Sequence, residues 1–159
     1  MSKALVTKRP LSRSRPVPYE TTLRVKDCCL CLHVQRAARA LARRFDEALR
    51  PFELTNGQFS LLMSLNRPKA AGMAAVADLL AMDRTTLTAA LKPLERRGLV
   101  KIAKDPEDAR GRLLTLTSAG ERLLARAVVT WEREHRAVEA MLPGGEPEEL
   151  RQDLQALAR

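Results

Sequence analysis

Apolar residues recur every three or four positions between about Thr22 and Arg50, at Leu30, Val34, Ala37, Leu41, Phe45 and Ala48. This spacing predicts one long amphipathic helix that stops before Pro51. Arg36, Arg39, Arg43, Arg44, Asp46 and Glu47 fill much of its remaining surface, as a solvated face requires. The run Leu54-Thr55-Asn56-Gly57-Gln58-Phe59 then pairs Thr55 with Gln58 as a capping box, and Leu54 with Phe59 as the apolar staple around it. A second helix is predicted to start there, burying Phe59, Leu62 and Met63 and ending at Asn66-Arg67-Pro68.

Two short helices are predicted over residues 72–98. Met73, Val76, Ala77 and Leu80 share a face of the first, Met82-Asp83 interrupts, and Asp83 is placed to cap the second by accepting from the amides of Thr85 or Thr86. A turn of about three or four residues is what a helix-turn-helix uses to hold two helices at a steep angle, with the second free to enter a major groove. On a wheel of about 100° per residue, Leu87, Ala90, Leu91 and Leu94 fall inside, whereas Thr85, Thr88, Ala89, Lys92 and Arg96 point outward. Hydroxyls and cations on one face suit phosphates and base edges, and the only acid of that helix, Glu95, lies at its margin. Pro93 lacks the amide that would bond the Ala89 carbonyl and is expected to bend the helix beyond its groove-facing half.

Gly98 fits a left-handed cap, and the alternation of Leu99-Val100-Lys101-Ile102 predicts a strand. Turn-rich Asp105 to Gly111 leads into a second strand, Arg112 to Leu116, giving a two-stranded wing. Arg110 at its tip is the candidate for a minor groove, with Asp108 available to orient the guanidinium. Beyond it, Ser118 and Glu121 can form a capping box for a helix whose stripe is Leu124, Val128, Trp131, His135, Val138 and Leu142. That helix is longer than a small winged unit needs. Pro143-Gly144-Gly145 breaks it, and Leu150, Leu154 and Leu157 form a last apolar edge. One short chain has too little around it to bury these stripes, so a second copy is the economical partner.

Composition narrows the partners. The chain has 159 residues, 45% hydrophobic and only 3% aromatic, which favours a mainly helical fold. A formal charge of +9 suits a polyanion. No run reaches the roughly 20 apolar residues of a membrane span, and no secretory leader is evident, so a soluble cytoplasmic protein with no membrane partner is expected. Residues 1 to about 20, with Lys3, Lys8, Arg9, Arg13, Arg15 and three prolines, read as a flexible basic arm, either an extra DNA contact or a solvated tail. Cys28, Cys29 and Cys31 have no second Cys or His cluster to complete a zinc site, and no metal or other cofactor is expected. With two His, no nucleophile paired to a base and no Gly-rich phosphate loop, the chain does not read as an enzyme.

Leu80 to Thr88, Leu94 to Val100, Asp105 to Arg110 and Leu116 to Gly120 together resemble, in order and spacing, the MarR family of bacterial transcriptional regulators. The resemblance runs from about residue 28 to the C-terminus. It implies a mainly α, winged helix-turn-helix dimer with interlocking terminal helices, contributed by residues 21–52 and 118–159, around a DNA-binding unit at 53–117. It further implies a pseudo-palindromic double-stranded operator, and regulation, commonly repression, relieved by a small-molecule effector. The expected DNA contacts are Arg84, Thr85, Thr86, Thr88, Ala89, Lys92, Arg96, Asp108, Arg110 and Arg112. Ala89 and Ala109 stand where polar or basic residues are frequent. In similar proteins an effector pocket lies near the dimer-to-reader junction, and here its wall would draw on Phe45, Phe52, Phe59, Trp131 and His135, although Trp131 and His135 also read as ordinary packing. Cys28, Cys29 and Cys31, near a helix start and Lys26, read either as buried inert thiols or as oxidation sensors. A winged-helix protein that binds DNA architecturally, without an effector, is the remaining alternative.

Overall fold

The computed structural model describes residues 16–108, 110–144 and 146–158. Most of the expected basic arm, and Ala109, therefore lie outside the described residues. Helices α1 (Tyr19–Cys28), α2 (Leu30–Leu49), α3 (Asn56–Ser64), α4 (Met73–Leu79), α5 (Arg84–Arg96), α6 (Ser118–Glu139) and α7 (Pro147–Leu157) are joined by strands β1 (Ala71–Gly72), β2 (Val100–Lys104) and β3 (Arg112–Leu116). Two compact units divide within α2, after Arg39.

In the first unit the single long helix expected from Thr22 is instead two. The first begins at Tyr19, inside the stretch read as arm, and the chain breaks at Cys29, whose ψ of 104° is extended. The break is held by local bonds rather than by Pro or Gly. The Cys29 amide donates back to the Val25 carbonyl, and the Cys29 sulfur accepts from the Leu32 amide at 3.5 Å, acting as a cap for α2. A ring nitrogen of His33 meets the Asp27 carbonyl across the joint at 3.2 Å. Cys28 and Cys31 are exposed and Cys29 is half-buried, so within this chain the expectation of buried thiols fails. Leu23, Val25, Leu30 and Val34 are exposed as well.

The second unit holds the core. A 3₁₀ turn, Arg50–Phe52, follows α2, and the capping box of α3 forms as expected: the Gln58 amide donates to Thr55 Oγ1 at 3.2 Å and the Thr55 amide to Gln58 Oε1 at 3.1 Å. Asp46 of α2 also accepts from the Asn56 amide, fixing the start of α3. Phe45 and Leu49 pack with Leu54, Phe59, Leu61, Leu62, Val76, Leu87, Leu91, Leu94, Leu114, Leu124 and Ala127. Each fully buried leucine of α5 contributes about 2 kcal/mol of transfer free energy, and that burial is what orients the helix.

The wing differs from the expected pair of strands. β3 is central, paired antiparallel with β2 from Val100↔Leu116 to Lys104↔Arg112 and, on its other edge, with β1 at Ala71↔Leu114 and Gly72↔Leu113. The cap of α6 is Thr117, one residue earlier than the predicted Ser118. Its hydroxyl accepts from the Gly120 amide at 3.1 Å and donates to the Gly98 carbonyl at 2.6 Å, while its amide donates to the Leu99 carbonyl at 3.0 Å. A tertiary partner on β2's approach selects Thr117 over Ser118, although serine is the better cap by intrinsic preference. The helix is about 33 Å long at 1.5 Å per residue and meets α7 through Arg151, which donates to Glu139 at 2.7 Å. Among the described residues, no helix is long and apolar enough to cross a membrane.

Candidate nucleic-acid interface

The turn between α4 and α5 is built by backbone bonds. The Met82 amide reaches the Ala77 carbonyl and the Ala81 amide that of Asp78, with Ala81 left-handed at φ 49°. Asp83 then caps α5, its carboxylate accepting from the Thr86 amide at 2.8 Å and the Thr86 hydroxyl at 2.6 Å. The Thr86 hydroxyl, then the Thr86 amide, hold the Asp83 carboxyl below its ordinary value of 3.8. A carboxyl depressed on folding stabilises the fold above its unfolded pKa, and the contribution is lost as pH falls through the folded value. Carboxyl NMR titration is expected to find Asp83 below 3.8, and Thr86→Val to move it back up. A titration unchanged by that substitution would contradict the cap.

All ten expected contact residues are exposed. Arg84, Thr85, Thr88, Ala89 and Lys92 line one shallow groove of about 340 Å³ along α5. Arg84 and Thr88 also border a second cleft of about 370 Å³, whose far wall is the wing with Asp105, Asp108, Arg110 and Arg112 and whose floor is Gly72 to Ala74. Three guanidinium groups thus face two carboxylates, both of which accept from wing amides: Asp105 from Glu107 and Asp108 from Arg110, each at 2.9 Å. Asp108 therefore shapes the turn through the Arg110 amide and, contrary to expectation, forms no ion pair with its guanidinium. Thr86 and Arg96 line neither space. Sequence reading missed the floor residues, which are apolar and carry no binding signal of their own.

The three threonines of α5 are chemically unequal. Thr86 donates to Asp83, and Thr88 donates to the Arg84 carbonyl at 2.7 Å, so each hydroxyl proton is already engaged. Thr88 is left presenting a methyl and a lone pair. Only the Thr85 hydroxyl has no protein partner among the described residues, which leaves it able to donate to a phosphate or base. Pro93 sits inside α5, which continues to Arg96.

A separate groove of about 340 Å³ opens between α3, the end of α4 and α6, lined by Phe59, Ser60, Met63, Ser64, Leu79, Leu80 and Trp131. Of the five expected wall residues it contains Phe59 and Trp131, whose rings stack at 6.0 Å. Phe45 lies in the core, Phe52 is half-buried beneath the Arg126 guanidinium, and His135 stacks on Trp131 at 4.6 Å while meeting Glu139. Among the described residues, no group of three or more His, Cys, Asp or Glu side chains is arranged to hold a metal ion.

Comparison with known proteins finds the MarR family model matching residues 54–111, the span from the α3 cap to the wing. The HTH-type transcriptional regulator TtmR of Methylorubrum extorquens is 35% identical over 97 residues, 61% of this chain and 50% of that protein. The chain covers 50%, 62% and 54% of three curated relatives, so about half of their length. Among solved structures, the M. tuberculosis transcriptional regulator MosR in complex with DNA has a TM-score of 0.75 at 37% identity, covering 82% of this chain and 93% of that one. The transcriptional repressor CouR of Rhodococcus jostii, bound to a 23-mer duplex, has a TM-score of 0.76 at 29% identity, covering 85% and 96%.

Proposed function

Because this chain belongs to the MarR family of winged helix-turn-helix transcriptional regulators, we propose that it is a sequence-specific DNA-binding regulator, a repressor that acts as a homodimer on a pseudo-palindromic operator. The observation that carries the reading is the continuity of the α5 groove with the wing cleft through Arg84 and Thr88. A helix face carrying Arg84 and Lys92 and a hairpin tip carrying Arg110 are presented side by side, which is the arrangement needed to occupy a major groove and the neighbouring minor groove together. The structures of MosR and CouR, both solved with DNA, support the partner. CouR's designation as a repressor supports the sign.

Thr85, Thr88, Ala89 and Lys92 are assigned to the major groove, Arg110 to the minor groove, and Arg84, Arg96 and Arg112 to flanking phosphates. Thr86 and Asp108 act indirectly, by holding α5 and the wing turn. Residues 21–52 and 118–159 are assigned to dimerisation, around a reading unit at 53–117. The exposed apolar residues Leu23, Val25, Leu30, Val34, Leu150, Leu154 and Leu157 support a second copy as their cover. A cytoplasmic location and the absence of enzymatic turnover belong to the same reading.

The effector site is assigned to the groove of Phe59, Met63, Leu79, Leu80 and Trp131, whose apolar lining suits a small hydrophobic or aromatic molecule. A second reading, regulation by thiol oxidation, is favoured by the exposure of Cys28 and Cys31. One experiment tests the main proposal: selection of bound duplexes from a random pool by the purified protein. Two inverted half-sites, with centres about one helical turn (10–10.5 base pairs) apart, are expected. A pool without enrichment, or enriched for a single half-site, refutes the DNA-binding dimer.

A further inference from the structure

The end of α5 is fastened to the 3₁₀ turn that follows α2 by the side chain of Arg97. Three helical segments of this unit finish with the same pair of hydrogen bonds: Leu54 to Leu49 with Glu53 to Arg50, Met82 to Ala77 with Ala81 to Asp78, and Leu99 to Leu94 with Gly98 to Glu95. Each pair closes around a left-handed residue, at φ 54° for Glu53, 49° for Ala81 and 66° for Gly98. Gly98 adopts that geometry freely, whereas Glu53 carries a side chain that disfavours it. Arg97 grips the disfavoured turn. Its Nη1 donates to the Glu53 carbonyl and its Nη2 to the Phe52 carbonyl at 3.1 Å. The Glu53 carboxylate lies 3.6 Å away but is 86% exposed, so the carbonyls provide the hold.

Arg97 is the cap residue of α5, its amide bonded to the Pro93 carbonyl, and its forked guanidinium can engage two acceptors at once where a lysine ammonium offers a single point charge. We infer that Arg97 is a positioning residue for DNA reading: by clasping the Phe52 and Glu53 carbonyls it sets the angle of α5 against the α2–α3 junction, and so the separation of the two reading helices in a dimer. The inference rests on the DNA-binding dimer proposed above. With both Nη groups turned to protein carbonyls, Arg97 is assigned no phosphate contact and acts on spacing rather than on charge.

The test uses the full chain, the duplex recovered by selection, and versions of it with one base pair inserted or removed between half-sites. The unsubstituted protein is expected to prefer the recovered spacing by about tenfold, the discrimination typical of a perturbed site. Arg97→Ala is expected to reduce that preference about threefold or more, Arg97→Lys to lie between, and Glu53→Gly, which keeps both carbonyls, to retain it in full. The salt slope is expected to stay unchanged in Arg97→Ala, because no phosphate contact is lost. Full spacing preference in Arg97→Ala overturns the inference, as it does in Arg97→Lys should the alanine variant fail to fold. A slope flattened by about one unit overturns it too, by marking Arg97 as a phosphate contact, and so does loss of preference in Glu53→Gly. If the unsubstituted protein binds no duplex, or binds as a monomer, it is the DNA-binding dimer itself that falls.

Discussion

Gly120→Ala is expected to lower the free energy of unfolding by about 2–3 kcal/mol, the upper end for overpacking by a single methyl group. A Cβ at this position would lie 2.2 Å from the Leu99 carbonyl oxygen and 3.1 Å from its carbon. Neither side can yield easily. The Leu99 oxygen accepts from the Thr117 amide, the Leu99 amide closes the end of α5, and Gly120 is held in the first turn of α6 by the Thr117 cap. The control is Gly72→Ala, where nothing lies within 4 Å of the added atom; a change within about 0.5 kcal/mol is expected there. Denaturant melts of both variants give the comparison. Equal stabilities would mean that α6 does not start against the approach to β2.

Removal of two interface cations is expected to have the largest effect on binding. The double variant Arg84→Ala, Arg110→Ala is expected to lose about a hundredfold in operator affinity, at about 1.4 kcal/mol per cation. The two losses should differ in kind. A phosphate contact flattens the dependence of log K on log salt by about 0.9 and acts alike on every sequence, whereas a minor-groove contact discriminates between A·T-rich and other flanks. Arg84, at the start of α5, is expected to show the first behaviour and Arg110 the second. Thr85→Val should weaken binding more than Thr88→Val, because, of the α5 threonines, only Thr85 has its proton uncommitted among the described residues. Filter binding across a salt series decides all of these, and an unchanged slope and unchanged flank preference in the double variant would remove both residues from the interface.

The fold was most legible where local chemistry and burial agree. The Thr55–Gln58 box, the Asp83 cap and the Leu87, Leu91 and Leu94 face each follow from residues a few positions apart, and each is found. Gly98 is legible for the same reason, because the conformation it takes is one other residues resist. Three features were misread or missed, the first two because their partners are distant in sequence. β1 is two residues long and has no alternation to reveal it; only its pairing with Leu113 and Leu114 makes it a strand. Thr117 displaces Ser118 as a cap because the carbonyls of Gly98 and Leu99 are within reach. The division at Cys29 uses a sulfur as a helix cap, a role rarely assigned to cysteine. At the interface, wheel geometry identified which residues face outward, but it could not show that Thr86 and Thr88 spend their protons inside the helix.

The wing joins a base paired along two edges to a tip bonded within itself. From Val100↔Leu116 to Lys104↔Arg112 it is paired, and β1 buttresses β3 from the opposite edge, whereas across its open end the Asp105 amide to the Gly111 carbonyl is the closing bond. A longer or shorter graft between those two would change how far the protein reaches along a duplex while leaving the paired strands in place. Divergence of binding preference among descendants of this chain has an inexpensive route there, one that leaves the framework around Leu114 untouched.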